Sequence, residues 1–199
     1  NFIYDGLSRL TSSEDLHASA DMTFGTRTFA YDLAGNIASS TDAKSQVIEY
    51  TYDDINRVLT ENYTGDVGTE VEYAYDTCTY GKTRMCSATT TAVATQLTFD
   101  ALGNVATERR TVDGTTYLTT YTRDRLGDIT NIVHPNNAET SYIYNGEGMA
   151  EKILFKQPGA SNFSSIITNI DYAPTGQVSQ REAANNTITT YVYALDDMW

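Results

Sequence analysis

The most regular feature of the chain is a bulky–small–bulky triplet that keeps returning. Phe29-Ala30-Tyr31, Tyr50-Thr51-Tyr52, Tyr73-Ala74-Tyr75 and Leu97-Thr98-Phe99 are examples. Residues two apart on a strand share a face, so each triplet predicts a strand with two large side chains on one side. No long stretch shows the 3.6-residue apolar period of an amphipathic helix. The pattern therefore predicts an all-β chain. Aligned on the second bulky residue, the triplets form nine registers, at Tyr4, Tyr31, Tyr52, Tyr75, Phe99, Arg123, Tyr144, Tyr172 and Tyr193. Only Arg123 breaks the aromatic rule.

A polar code follows each anchor. The next residue is Asp5, Asp32, Asp53, Asp76, Asp100 or Asp124, and four after the anchor stands Gly35, Gly103, Gly127, Gly148 or Gly176. An Asp that opens a type I turn accepts hydrogen bonds from N–H groups further round the turn. The Gly then takes the left-handed conformation that closes a hairpin with a bulge. Asn56 fills the Gly slot in the third register, and Ser8 fills it less well in the first. Arg9, Asn36, Arg57, Asn104 or Asp128 comes next, then an apolar residue (Leu10, Ile37, Val58, Val105, Ile129) that starts the return strand. A turn does not require the Arg at 57, and a cross-strand ion pair with a neighbouring unit's Asp is expected for it. The fourth turn is longer, with Arg84 and Met85 in the later slots.

A second set of signals lies between the units: "GDVG" at 65–68, Asp113-Gly114, "HPNN" at 134–137, "PGAS" at 158–161 and "AANN" at 183–186. These predict looser turns. A period near 24 residues leaves roughly 8 per strand, hence an antiparallel meander of some sixteen to eighteen strands. A sheet that large must twist, curl or close.

"FIYDGLSRL", "FAYDLAGNI", "YTYDDINRV" and "LTFDALGNV" resemble the YD repeats of Rhs proteins, which also occur in insecticidal toxin complexes and teneurins. The resemblance extends over one array, residues 1–199, which opens and stops in mid-pattern. Asn145, Ala173 and Ala194 replace the Asp, so less regular turns are expected there. The resemblance implies a long β-sheet that spirals into a hollow shell, enclosing or presenting a C-terminal toxin. It implies partners in the remaining repeats and cargo of the same polypeptide, and a bacterial secreted or cell-surface location. The family's closing "DPxGL" stretch does not occur in this sequence.

Composition narrows the alternatives. Tyr is abundant, with fifteen against six Phe and one Trp. Tyr favours pleated, half-buried strands. The net charge of −13 argues against nucleic acid and against anionic membrane surfaces. No apolar run reaches the ~18 residues of a membrane span, so no insertion by this segment is expected. Cys78 and Cys86 bracket the long fourth turn. A disulfide there is the favoured reading and implies an oxidising compartment. Two thiols with no nearby His make a poor zinc site.

The chemistry of a site is thin. His17 and His134 fall in different units, and Asp53-Asp54 and Asp196-Asp197 are adjacent residues that make no ready acid/base dyad. No catalytic residue, cofactor or metal is assigned. The Tyr rows could stack a carbohydrate, but a feature that recurs in every unit reads better as a packing ladder. Asn62, Asn162 and Asn185 match the glycosylation sequon, as chance allows in a Thr-rich chain. Exposed sheet edges predict self-association.

Overall fold

The structure is a computed structural model that describes residues 1–14, 25–65 and 70–193. His17, Ala194, Asp196 and Asp197 lie outside the described residues, as does most of the stretch at 65–68. Among the described residues there are seventeen strands and no helix. The chain is all-β, and its strand registers are antiparallel between sequence neighbours, as in a meander.

The chain divides into two units. The first comprises Asn1–Leu97 and Arg110–Thr115, the second Thr98–Arg109 and Thr116–Trp199. The first holds β1 (Phe2–Tyr4), β2 (Leu10–Glu14), β3 (Thr26–Tyr31), β4 (Ile37–Thr41), β5 (Val47–Tyr52), β6 (Val58–Tyr63), β7 (Val71–Tyr75) and β8 (Met85–Thr90). β9 (Val93–Phe99), β10 (Val105–Val112) and β11 (Thr115–Arg123) contribute to both units. The second continues with β12 (Ile129–Val133), β13 (Glu139–Tyr144), β14 (Ala150–Lys156), β15 (Ser164–Tyr172), β16 (Val178–Ala183) and β17 (Ile188–Thr190). The strands are shorter than eight residues on average because most of the turns between them take five residues.

Seven hairpins that join an odd-numbered strand to the next even-numbered one carry a bulge at the same place. Tyr52 pairs with Val58 while Thr51 pairs with Thr60, so Leu59 is the extra residue. The same slip makes Thr11, Ala38, Cys86, Thr130, Glu151 and Ser179 the extra residues of their hairpins. A bulge bends its strand and raises the local right-handed twist. Within each unit these bulges therefore bend the strands that leave the turns.

Burial is shallow. Among the described residues the buried apolar side chains are Cys86, Phe99 and Ala138, and no large side chain is fully buried. Most strand residues are half-buried by their neighbours in the same sheet. Within each unit the stabilising contacts run along the sheet, from repeat to repeat.

Candidate functional site

The turn is the unit from which everything else is positioned. In the third repeat the Asp53 N–H donates to the Arg57 carbonyl at 2.9 Å, and the Asn56 N–H donates to the Asp53 carbonyl at 3.0 Å. Asp53 Oδ1 accepts the N–H groups of Ile55 (3.0 Å) and Arg57 (2.9 Å), while Oδ2 accepts Arg57 Nε at 2.7 Å. The carboxylate thus ties both the turn and the residue that leaves it. Asp5 does the same with Leu7 and Arg9. Asp100 does so with Leu102 and Asn104. Asp32 takes the N–H and the side-chain amide of Asn36, and Asp124 takes the N–H groups of Leu126 and Asp128.

At Asp5, Asp32, Asp53 and Asp100 these bonds lower the carboxyl pKa. The N–H of the residue leaving the turn is the largest cause at Asp5, Asp53 and Asp100. At Asp32 desolvation, the largest single cause, pushes upward, and the bonds from Asn36, Ala34 and Gly35 together outweigh it.

The left-handed slot is filled as the chemistry requires. Gly35, Gly103, Gly127, Gly148 and Gly176 have φ between 79° and 95°, and Asn56 sits at 64°. Ser8 adopts the same conformation at 63°, so the first turn is regular despite its residue. Two of the turns expected to be less regular, at 145–149 and 173–177, are also regular. Asn145 Oδ1 accepts from Glu147 and Met149, as an Asp would. Ala173 keeps both backbone bonds, from its N–H to Gln177 and from Gly176 to its carbonyl, each 2.8 Å.

The expectation of looser turns at the other strand ends is corrected at three places. Residues 134–138 and 183–187 close with the same pair of backbone bonds, with Asn137 and Asn186 left-handed at 64° and 63°. Residues 42–46, which the sequence reading passed over, do the same. There Asp42 Oδ1 accepts from Lys44 and Gln46, and Ser45 has a φ of 64°. Asp113-Gly114 forms a tight turn with both residues left-handed.

Arg57 links two repeats. Its Nη2 donates to Asp76 Oδ2 of the next repeat at 2.5 Å, while its Nε holds Asp53. Its guanidinium lies 4.3 Å from the centre of the Tyr75 ring, as Arg9 lies 4.4 Å from that of Tyr31. The two carboxylates hold the Arg57 pKa above its ordinary value, Asp76 first. Asp76 is lowered in turn, first by that guanidinium. In the sixth register Arg123 stands in the aromatic slot and lies over Tyr121 at 5.5 Å.

The anchor tyrosines reach the other way. The Tyr31 hydroxyl donates to the Leu10 carbonyl at 2.7 Å, and Tyr52 donates to Ile37 at 2.8 Å. In the second unit Tyr144 donates to Ile129, Tyr172 to Ala150 and Tyr193 to Val178, at 2.7–2.9 Å. Each acceptor opens the return strand of the preceding repeat, next to its bulged residue. The hydroxyl supplies a donor where the bulge interrupts the ladder. Sequence reasoning missed this role, although the preference for Tyr over Phe at the anchors was its signal. Burial of the phenol raises the pKa of Tyr52 and Tyr144.

Cys78 and Cys86 form a disulfide across the long turn, with Cα atoms 5.5 Å apart. The turn is closed by the Asp76 N–H on the Arg84 carbonyl, and Asp76 Oδ1 accepts the Thr83 N–H. Gly81 packs against the bridge. A Cβ there would meet the sulfurs of Cys78 at 2.3 Å and Cys86 at 2.5 Å, so only glycine fits.

The remaining candidates do not converge. Asp53 is spent on its turn, so Asp53-Asp54 forms no dyad. His134 opens a turn, with its Nε2 hydrogen-bonded to Thr140 Oγ1 at 2.8 Å. Among the described residues no group of three or more His, Cys, Asp or Glu could hold a metal. In the first unit Tyr50, Tyr63, Arg27 and Asp42 line a concavity of about 610 Å³.

Residues 31–67 match the family model of the RHS Repeat. No curated protein matches the chain. The crystal structure of TcdB2-TccC3 is 17% identical with a TM-score of 0.83, over 100% of this chain and 11% of that one. The crystal structure of TcdB2-TccC3-Cdc42 is 17% identical with a TM-score of 0.82, over 99% of this chain and 11% of that one. The Photorhabdus luminescens Tc holotoxin pore carrying a TccC3 mutation is 16% identical with a TM-score of 0.79, over 94% and 10%. The chain thus spans about a tenth of each of those chains, and the likeness is one of fold.

Proposed function

We propose that this chain, whose residues 31–67 match the RHS Repeat, is an array of such repeats and a segment of a β-sheet wall whose work is steric. The observation that carries the reading is where the polar side chains are spent. The turn carboxylates cap turns, Arg57 bridges two repeats, and the anchor hydroxyls bond the preceding repeat. The repeated groups are taken up by bonds within and between repeats, and among the described residues no chemistry converges on one reacting atom. The role is structural and not catalytic.

The wall reading extends to a cargo. The structures of like fold are toxin-complex chains, which supports a wall that encloses or presents a C-terminal toxic polypeptide. Its partners are then further repeats and the cargo of the same polypeptide, outside the cell or at its surface. The residues 1–199 are one array of about nine registers, and the turns at 32–36 and 124–128, from the two units, share one bonding pattern. Limited proteolysis of the intact polypeptide tests this. The C-terminal segment should resist cleavage until conditions that melt the sheet. Cleavage at the rate of an unprotected peptide would overturn the enclosure.

The alternative reading is a carbohydrate- or receptor-binding surface. The concavity beside Tyr50 and Tyr63 offers aromatic faces with Arg27 and Asp42 alongside. Glycan binding that is lost in Tyr50→Ala would favour it over the wall.

A further inference from the structure

We propose that the turn at 145–149 is a self-modification site. Asn145 closes onto the backbone nitrogen of Gly146, releases ammonia, and opens with water to aspartate or isoaspartate. Asn145-Gly146 is the one Asn-Gly pair in the sequence. It falls where Asp5, Asp32, Asp53, Asp76, Asp100 and Asp124 stand in their registers, so an amide occupies a place built for a carboxylate. Gly146 is exposed, and a Cβ there would meet nothing within 4 Å, so the approach to its nitrogen is open.

The frame supplies what ring closure needs. The Asn145 N–H donates to the Met149 carbonyl at 2.9 Å, and the Gly148 N–H to the Asn145 carbonyl at 3.1 Å. Glu147 and Met149 each donate an N–H to Asn145 Oδ1 at 3.0 Å. Among the described residues the Gly146 N–H has no partner, so the turn leaves this nitrogen free to attack. The Asn145 side-chain nitrogen has none either, and it departs without giving up a hydrogen bond. The two donors on Oδ1 draw charge from Cγ and stand where negative charge gathers as Cγ becomes tetrahedral. Nucleophile and carbonyl sit on neighbouring residues, so little freedom is lost in bringing them together.

The reaction balances with water alone. The Gly146 nitrogen gives up its proton and bonds to Cγ, the Cγ–Nδ2 bond breaks, and Nδ2 leaves with a proton as ammonia. Water then opens the five-membered imide. Cleavage of the new bond gives aspartate on an unchanged main chain. Cleavage at the Asn145 main-chain carbonyl gives isoaspartate, with the chain now running through Cγ. The two products meet the frame differently. Aspartate keeps Oδ1 and does what Asp5, Asp53 and Asp100 do in their own turns. Isoaspartate adds a carbon to the main chain and moves the free carboxylate off the place that Glu147 and Met149 bond, so the hairpin of β13 and β14 loses its turn. This chemistry is independent of any wall or cargo.

Peptide mapping by mass spectrometry of the 199-residue chain, kept folded for days in mildly alkaline buffer, tests it. Isoaspartate-specific methylation separates the two products. Asn145 should convert through the imide in the folded chain. Asn136 and Asn185 should stay intact, since they also lend Oδ1 to a turn but are followed by Asn137 and Asn186, whose side chains crowd the nitrogen. Gly146 is not left-handed, so Gly146→Ala should melt as wild type does. It should slow the conversion about tenfold, because a Cβ hinders the attack. An Asn145 that survives in the folded chain yet converts in the urea-unfolded one would overturn the proposal. Conversion of Asn136 or Asn185 at the same pace, or a Gly146→Ala chain that converts as fast as wild type, would do so too.

Discussion

Arg57 and Asp76, nineteen residues apart, meet at 2.5 Å and bind one hairpin to the next. Arg57 holds its own turn through Asp53 with its Nε, so it serves two repeats at once. Arg57→Ala is expected to lower the melting temperature more than Arg9→Ala, because the Arg9 ion pair is with Asp5 of its own turn and the Arg57 pair with Asp76 crosses to the next repeat. Arg57→Lys should recover little, since an ammonium lacks the planar fork that reaches two carboxylates. Equal melting of wild type and Arg57→Ala would contradict the clamp.

Acid should loosen the same link. Asp53 and Asp76 are both held below the ordinary value of 3.8, by the Arg57 N–H and the Arg57 guanidinium respectively. A carboxylate depressed in the folded state contributes stability that is whole above its unfolded pKa and lost as pH falls through the folded one. The melting temperature should therefore hold from neutrality to about pH 4 and fall below it. In Arg57→Ala the fall should be shallower, because Asp76 has lost its main cause of depression. A thermal melt series from pH 7 downward checks both statements.

The tyrosine ladder makes a graded prediction. Tyr52→Phe removes one hydroxyl-to-carbonyl bond and keeps the ring, at a cost of about 1 kcal/mol. Tyr172→Phe should cost a similar amount, and the pair should add, since the sites share no partners. Denaturant unfolding of the three variants measures this. A neutral Tyr52→Phe would return the ladder to ring packing alone.

Reducing the Cys78–Cys86 bridge frees a short loop, a loss of about 2.5 kcal/mol on chain-entropy grounds. Faster hydrogen exchange should be confined to residues 76–86. Gly81→Ala should block formation of the bridge, because its Cβ needs the space of both sulfurs. Thiol titration of the purified variant reads the outcome directly, with two free thiols expected.

Ser8 occupies a left-handed backbone conformation that disfavours a side chain. Ser8→Gly should stabilise by roughly 0.5–1 kcal/mol. Asn56→Gly should gain less, because Asn56 Oδ1 accepts a bond from Asn36 at 2.8 Å. A comparison of the two melts decides it.

Local chemistry was legible in the sequence where residue type and spacing act together. The Tyr-Asp pair, the left-handed slot and the paired cysteines announce the Asp-led hairpin, and the unexplained Arg57 announced the ion pair. What stayed hidden depends on partners that sequence does not mark. The turn at 42–46 has no aromatic triplet before it, and it uses Ser45 where Gly or Asn would signal. The acceptor of the Tyr52 hydroxyl is a backbone carbonyl, which every residue has. Gly81 looks like any loop glycine until the disulfide is folded over it.

The central claim is that the repeats build a wall and do not frame a ligand site. Electron cryomicroscopy of the intact polypeptide tests it most directly. The account predicts residues 1–199 as a continuous strip of a wall around an enclosed volume that holds a polypeptide segment. An array standing free of any enclosed volume, with the concavity at Tyr50 and Tyr63 turned outward and occupied, would contradict it.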